Sequence, residues 1–270
     1  NFAGPFDDQM PAGRQALREY WPIASPAGDP NRMYRVVRYG ADLELFILDT
    51  RQYRSRNADQ DGPAKTMLGA AQLQWLLDGL THSTATWKVV ATSVPLSIPK
   101  GGGASVPGYD GWAGGPDGTG FERERQVIVD AILGQKLKNV VFIGGDVHWV
   151  QANAYDPDQD GIIDFHEFIA GPLSARPGRL TEASETLHPA RLINEAGYYN
   201  FGLAEKKPEE SFYAEDGALI LGTRRFEGKA GIASAYNRPP APAPAAGEAP
   251  AAPRERIPFN MTVDNVLIVV

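Results

Sequence analysis

The stretch Val-Phe-Ile-Gly-Gly-Asp-Val-His-Trp at residues 141–149 decides the predicted fold, because it joins an apolar strand to a polar strand end. A continuous apolar run of this kind is typical of a strand buried on both faces. Asp146 and His148 lie two apart, so on an extended backbone both side chains point to the same side, and the glycines let the chain pass close to a bound ion. We predict that the pair forms half of a metal site. The alternative is that Asp146 caps a turn and His148 is hydrogen-bonded in a core.

Further strands and helices are predicted on both sides of this stretch. Residues 43–48 and 87–91 are apolar strand candidates, an amphipathic helix carries leucines 73, 76, 77 and 80, and a second helix is expected from about Gly120 to Gly134 with Thr119 and Glu122 at capping-box spacing. Strands that alternate with helices predict crossovers over a parallel or mixed sheet. Beyond Asp146 the alternating runs predict antiparallel strands at 148–155, 165–170, 198–204, 218–225 and 261–270.

The composition is that of a globular but loop-rich protein. The 270 residues include 29 Gly and 22 Pro, while 43% are hydrophobic and 22% charged. A glycine-rich stretch at 99–120 is expected to be a functional loop, since long loops inside compact domains usually have a role. The Pro- and Ala-rich stretch at 239–253 is expected to be a disordered excursion between two strands, acting as a passive linker.

Charge and residue content exclude several functions. A formal net charge of −7 argues against broad binding to a nucleic-acid backbone and leaves only a local basic pocket for an anionic substrate. No apolar stretch is long enough to predict a transmembrane segment. Cys is absent, so the chain has neither disulfides nor thiolate metal ligands.

Residues 156–167 match the twelve-residue calcium loop pattern D-x-D-x-D-G-x5-E. The expected oxygen ligands for Ca²⁺ come from Asp156, Asp158, Asp160, the carbonyl of Ile162, Asp164 and a bidentate Glu167. Because the flanks are predicted strands, a calcium-stabilised hairpin is expected rather than a sensor that opens a groove. The alternative is a solvated acidic turn, since Asp, Gly and Pro also form turns.

Several stretches, in this order, give the chain a family resemblance. They are Leu-Asp-Thr-Arg-Gln-Tyr-Arg at 48–54, Gln-Leu-Gln-Trp-Leu at 72–76, Ser-Val-Pro-Leu-Ser at 93–97, Asp-Gly-Trp at 110–112, Gly-Asp-Val-His at 145–148 and Gly-Pro-Leu-Ser at 171–174. Together they resemble the PhoD-type alkaline phosphatases of the calcineurin-like metallophosphoesterase superfamily. The resemblance implies an α/β (α+β) fold of two mixed sheets packed as a sandwich and flanked by helices, with residues 1–270 forming the C-terminal part of one such domain.

The same resemblance implies a function and a location. It implies hydrolysis of phosphate esters by metal-activated water, with Asp146 and His148 as metal ligands and with Ca²⁺ beside Fe³⁺ or another transition metal. The substrate would be a phosphodiester, a phosphomonoester or a phospholipid headgroup, and the protein would be periplasmic or extracellular. The family's Asp-Asp-His-Glu run and its cysteine ligand are absent from this sequence. We therefore expect an upstream N-terminal segment to complete the site.

The remaining candidates concern the substrate. Arg51 and Arg54 follow a strand end and are candidates for phosphate contacts, although surface pairing with acidic neighbours is an equal alternative. Asp110 and Trp112 are candidates for the substrate rim, with ordinary loop packing as the alternative. No G-x-S-x-G elbow is present, which disfavours a serine nucleophile. The rival function is a calcium-stabilised binding or structural module whose metal centre is incomplete.

Overall fold

A computed structural model describes most of the chain, in two compact units, Asn1–Phe201 and Gly202–Val270. The described residues are 10–21, 23–24, 26, 28–103, 106–206, 218–221, 224–227, 260–263 and 266–269. The predicted excursion at 239–253 lies outside them. That all 270 residues form part of a single domain stays a prediction.

The first unit contains three helices and nine strands among its described residues. The helices are α1 (Met10–Tyr20), α2 (Ala70–His82) and α3 (Glu122–Gly134). The strands are β1 (Arg35–Tyr39), β2 (Leu43–Ile47), β3 (Trp87–Ala91), β4 (Gly101–Gly103), β5 (Val106–Tyr109), β6 (Val140–Gly144), β7 (Val150–Tyr155), β8 (Phe165–Ile169) and β9 (Pro189–Glu195).

Seven of these strands form one mixed sheet in the order β1-β2-β3-β6-β8-β7-β9. The neighbours β2, β3, β6 and β8 run parallel, whereas β1, β7 and β9 pair antiparallel with their neighbours. The predicted α/β class with a mixed sheet is therefore confirmed. Because the carboxyl ends of parallel strands meet at one edge, the segments that follow β2, β3, β6 and β8 lie side by side there.

The helices α2 and α3 bury one face each in the main core. Leu76 and Leu80 of α2 join Ile128 and Ile132 of α3 in the same cluster as Phe142 of β6. Full burial of such a side chain stabilises the fold by about 1.5–3 kcal/mol. The predicted helical spacing of the α2 leucines is thus confirmed, and their apolar stripe is core.

The structure differs from the predicted secondary structure in several places. The helix α1 and the strands β1 and β9 were not predicted, since their sequences mix charged or turn-forming residues with apolar ones and leave most side chains exposed. The expected loop at 99–120 contains the short β4–β5 hairpin. The predicted cap at Thr119 is also absent: α3 begins at Glu122 after Phe121, and the Thr119 hydroxyl donates to Asp117 Oδ1 over 2.8 Å.

The second unit consists of antiparallel strands among its described residues. They are β10 (Leu203–Lys206), β11 (Ala218–Leu221), β12 (Arg224–Glu227), β13 (Asn260–Val263) and β14 (Val266–Val269). One sheet has the order β10-β14-β13, and β11 pairs with β12. The strand character predicted for 218–225 and 261–270 is confirmed at their described residues, where each run contains parts of two antiparallel strands. Of the strand predicted at 198–204, only residues 203–204 lie in a strand. The packing of a second sheet as a sandwich stays a prediction. No helix in the described part of either unit has the length and apolar character to cross a membrane.

Candidate active site

Polar residues gather at the carboxyl edge of the four parallel strands. After β2 the chain continues through Thr50, and after β3 through Ser93; the hydroxyls of these two residues are hydrogen-bonded to each other. The backbone N–H of Ala170, directly after β8, donates to the carbonyl of Gly144 at the end of β6 over 3.1 Å. Neighbouring strand ends are thus tied together, and this edge is the candidate active site.

Asp146 and His148 lie at this edge, but in a bend rather than in a strand. The strand β6 ends at Gly144, and Asp146 and His148 have φ angles of +75° and +67°. The extended-strand argument for their convergence is therefore wrong. A Cβ on Gly144 would lie 3.1 Å from the carbonyl oxygen of Thr92, and one on Gly145 3.2 Å from that of Ala170. The glycines thus allow close packing of neighbouring strand ends.

The imidazole of His148 is held in one tautomer. Its Nδ1 lies 2.8 Å from the backbone carbonyl oxygen of Arg176. Because a carbonyl oxygen only accepts hydrogen bonds, Nδ1 must carry a proton, and in the neutral ring this leaves a lone pair on Nε2. A histidine that ligates a metal uses such a nitrogen, with its other ring N–H donated to an acceptor.

Asp146 has a buried carboxylate oxygen without a hydrogen-bond partner. Its Oδ2 is inaccessible to solvent, and no group in the described part of the chain bonds to it. Burial of an unpaired carboxylate oxygen is costly, so such an atom is a natural cation ligand. The bend thus offers two donor atoms. Among the described residues, neither Asp146 nor His148 belongs to a group of three or more His, Cys, Asp or Glu side chains at metal-binding distance.

Arg51 is presented at the same edge by a tight turn. The Oδ1 of Asp49 accepts the backbone N–H groups of Arg51 and Gln52 over 3.0 Å each, immediately after β2. The Arg51 guanidinium forms a two-bond pair with Asp110, at 2.8 Å from Nη1 to Oδ1 and 3.1 Å from Nη2 to Oδ2. Its side chain is 30% exposed, so part of it is open to solvent.

Asp110 is the buried anchor of this arginine pair and does not form a substrate rim, so the sequence prediction is corrected here. It is 6% exposed and bonds Arg54 and Asn57 as well as Arg51. Burial by itself raises the pKa of Asp110, but hydrogen bonds from Arg51 and the charges of Arg54 and Arg51 hold that pKa below its ordinary value. Asp110 therefore stays ionised and fixes Arg51.

Arg54 is also buried and does not reach the open edge, contrary to the predicted phosphate contact. Its guanidinium donates to the carbonyl of Asp110 over 2.8 Å and lies over the ring of Phe121. Burial lowers the pKa of Arg54 to about 10, while the charges of Asp110 and Asp146 oppose that shift. Because the charge of Asp146 affects the pKa of Arg54, Asp146 and the Arg54–Asp110 group lie within electrostatic reach of each other.

Trp112 belongs to the hydrophobic core, which corrects its assignment to the substrate rim. It is 1% exposed, packs in the same cluster as Phe142, and donates its Nε1–H to the hydroxyl of Thr92 over 3.0 Å. A side chain this deeply buried cannot contact a substrate at the surface.

Glu167 is likewise not a ligand of the acidic loop. It lies in β8 at 0% exposure, where Oε1 accepts the backbone N–H of Leu96 over 2.6 Å. Its Oε2 accepts from Asn153 over 3.0 Å and from the Tyr155 hydroxyl over 2.5 Å. Both oxygens are therefore used inside the sheet, and burial raises the pKa of Glu167. These partners could not be predicted from the calcium-loop motif, because Leu96 and the β7 residues lie outside it and reach Glu167 only in the folded chain.

The acidic loop closes the β7–β8 hairpin, as the sequence predicted. Asp156, Asp158 and Asp164 each bring a carboxylate oxygen to within 4.8 Å of the others, and the Asp160 Oδ1 accepts the backbone N–H of Ile162 over 2.8 Å. Partial burial, followed by the charges of the neighbouring aspartates, raises the pKa of Asp164. Calcium ligation by Asp156, Asp158, Asp160, Ile162 and Asp164 stays a prediction.

The arrangement defines an α/β protein with a polar site at the carboxyl edge of a mixed sheet. The family model described as PhoD-like phosphatase matches residues 1–217, so the chain belongs to the PhoD-like phosphatase family, as the sequence resemblance predicted. It is 35% identical over 152 residues to alkaline phosphatase D of Bacillus subtilis (strain 168), an alignment covering 51% of this chain and 25% of that protein. A solved structure titled "Structure of PhoD" shares 32% identity, covering 60% of this chain and 33% of that one with a TM-score of 0.49. The chain spans about a quarter of the length of the curated relative.

Proposed function

We propose that the carboxyl edge of the sheet hydrolyses phosphate esters with the help of metal ions held in part by Asp146 and His148. The observation that carries this proposal is the pair of free donor atoms in one bend, the buried Asp146 Oδ2 and the Nε2 lone pair of His148. A carboxylate with an imidazole suits hard or borderline ions, so both residues fit the metal dependence of phosphoester hydrolysis. We propose that the site binds Ca²⁺ together with Fe³⁺ or another transition metal ion.

Each group at this edge has a distinct task. A bound metal ion would supply charge neutralisation on the phosphoryl oxygens and acidify a water molecule. Arg51 would bind a phosphate oxygen through the N–H groups that Asp110 leaves free, since the fork of a guanidinium matches phosphate geometry. Asp110 and Arg54 would keep that fork in place from beneath.

The rest of the metal site is proposed to come from polypeptide outside the described residues, in particular an upstream segment. Two observations support this: the alignment covers a quarter of the curated relative, and within the described part neither Asp146 nor His148 belongs to a metal-sized group of three or more His, Cys, Asp or Glu side chains. Phosphodiesters, phosphomonoesters and phospholipid headgroups are the proposed substrates. A periplasmic or extracellular location is proposed as well.

Replacing Arg51 by Ala is expected to raise the KM for p-nitrophenyl phosphate or its bis ester about 10- to 100-fold, because one charge-assisted contact to phosphate is lost, worth about 1.5–3 kcal/mol. Arg51→Lys should recover only part of the loss, since an ammonium keeps the charge but not the fork. The assay uses protein that retains the completing segment, with Mn²⁺ and Ca²⁺ added.

The control for this assay is Arg56→Ala, an exposed arginine on the same loop. If Arg51→Ala and Arg56→Ala show the same KM, Arg51 has no role in phosphate binding. If the parent hydrolyses neither ester in the presence of both metals, the proposed function itself is wrong.

The second candidate function is a calcium-stabilised binding or structural module, favoured by the clustered oxygens of Asp156, Asp158 and Asp164. Under this proposal calcium relieves the repulsion among these carboxylates and stabilises the hairpin. A calcium response without any hydrolysis, even with the completing segment present, would favour this candidate over the phosphoesterase.

Calcium at about 100 times its Kd is expected to stabilise the protein by about 2.7 kcal/mol, a rise in Tm of about 5–10 °C. Asp158→Asn should reduce this response and slightly stabilise the calcium-free protein, because it removes one of the clustered like charges. The exposed Asp59→Asn is the matched control. A parent protein with the same Tm in calcium and in chelator has no calcium site in this loop.

A further inference from the structure

We infer that residues 176–178 form a clamp that fixes the His148 ring in the tautomer and orientation of a metal ligand, an inference that rests on the ligand role proposed above. The carbonyl of Arg176 accepts the Nδ1–H of His148 over 2.8 Å. Two residues later, the backbone N–H of Gly178 donates to the carbonyl of His148 over 2.7 Å. One short segment thus holds both the ring and the backbone of the same histidine.

The clamp requires glycine at position 178. A Cβ at Gly178 would lie 2.6 Å from the carbonyl oxygen of Val147, and 3.2 Å from both His148 Cβ and Trp149 Cε3. Cβ atoms do not approach other heavy atoms to 2.6 Å, and the nearest atom here is backbone, which cannot swing aside as a flexible side chain does. Any other residue must therefore move one of the two segments away.

The segment that would move is 176–178, because the bend is anchored on both sides of His148. Val147 and Trp149 are 1% and 4% exposed and pack in one cluster with Ile98 and Ile169. Arg176 is exposed, and Pro177 and Gly178 are half-buried. A methyl group at position 178 would therefore push the clamp outward and separate the Arg176 carbonyl from the ring.

Loss of that carbonyl has a chemical consequence at the opposite ring nitrogen. In neutral histidine one ring nitrogen carries the proton, and the hydrogen bond at Nδ1 decides that Nε2 is free. Without this acceptor both tautomers are populated, and the Nε2–H form has no lone pair on Nε2 with which to bind a metal. Removal of such a supporting partner commonly costs 10–100-fold in metal affinity.

The test compares Gly178→Ala with Gly134→Ala, a helical position at which an added Cβ has no atom within 4 Å. In metal-free protein that retains its completing segment, ¹⁵N shifts of the His148 ring should report Nδ1–H in the parent and in Gly134→Ala, and a tautomer mixture in Gly178→Ala. His148→Ala assigns the resonances. Mn²⁺ is then added, since its paramagnetism broadens the ring signals of a nearby histidine. Gly178→Ala should need about tenfold more Mn²⁺ for equal broadening.

Each outcome decides between the clamp and the ligand role. Equal tautomers and equal Mn²⁺ dependence in Gly178→Ala and the parent would overturn the clamp and leave the proposed function standing. A parent whose His148 signals are not broadened by Mn²⁺ would overturn the ligand role, and the clamp's purpose with it. If Gly178→Ala does not fold, Pro177→Gly replaces it, because it loosens the same segment without adding an atom, and it should shift the tautomer in the same direction.

Discussion

Hydrolysis of bis(p-nitrophenyl) phosphate is expected to fall at least about a hundredfold when Asp146 or His148 is replaced by Ala, in protein that retains its completing segment. Both substitutions remove a proposed metal ligand, and even the loss of a residue that merely supports a ligand commonly costs 10–100-fold in affinity or activity. Bound metal, measured by mass spectrometry of the purified protein, should fall in parallel. The loss should appear mainly in kcat, because Arg51, which is proposed to bind the phosphate, remains in place.

Two matched variants separate this effect from general damage. His82 is exposed at the end of α2, and Asp59 is exposed on the loop after β2, so His82→Ala and Asp59→Ala should keep parental activity and metal content. Full activity in both Asp146→Ala and His148→Ala would show that neither residue ligates a catalytic metal. Lost activity with unchanged metal content would assign them a role other than ligation.

Glu167→Ala is expected to reduce the free energy of unfolding by about 3–5 kcal/mol, the largest stability effect predicted for this chain. Three donors lose their acceptor together: the Leu96 N–H, the Asn153 amide and the Tyr155 hydroxyl. The site is fully buried, so water cannot replace the carboxylate without entering the sheet. Urea unfolding followed by fluorescence measures the change.

Glu182→Ala provides the control, since Glu182 is exposed and should change stability by no more than about 0.5 kcal/mol. A second readout tests where Glu167 acts. Because its oxygens are used within the sheet, the conservative Glu167→Gln variant should keep any calcium-dependent rise in Tm. If Glu167→Gln abolishes the calcium-dependent rise in Tm but changes the stability little, Glu167 is a calcium ligand of the acidic loop after all.

The sequence predicted those features that depend on local pattern. Apolar runs located β2, β3 and β6, an alternating run located β8, and leucine spacing located α2, because burial on one or both faces leaves a trace along a few residues. The position of the candidate site followed from the same strands, since polar residues after parallel strands share one edge. Asp146, His148 and Arg51 were found in this way.

Features that depend on distant segments could not be predicted. Asp110 and Arg54 are buried because the loop after β2 packs on the loop before α3; a Cβ at Gly108 would lie 2.2 Å from the carbonyl oxygen of Asn57. His148 takes its hydrogen-bond acceptor from a residue 28 positions away. No spacing rule connects such partners, so their roles become visible only when the chain is folded.

Glu167 illustrates a conflict between two local patterns. It is the twelfth residue of the calcium-loop motif, but it is also the third residue of β8, where Phe165 and Phe168 are buried as well. Glu167 adopts the strand position, because Glu167 of β8 pairs with Asn153 of β7 in the antiparallel sheet. The aspartates of the motif therefore lie at the tip of the hairpin, whereas Glu167 lies within the sheet and is not available as the last ligand.

The metal site is tested most directly by anomalous diffraction from crystals, grown with Mn²⁺, of protein that retains its completing segment. An anomalous peak is expected within coordination distance of both Asp146 Oδ2 and His148 Nε2, about 2.0–2.3 Å from each atom. Peaks confined to the acidic loop, or the absence of any peak beside Asp146 and His148, would contradict the proposed metal centre.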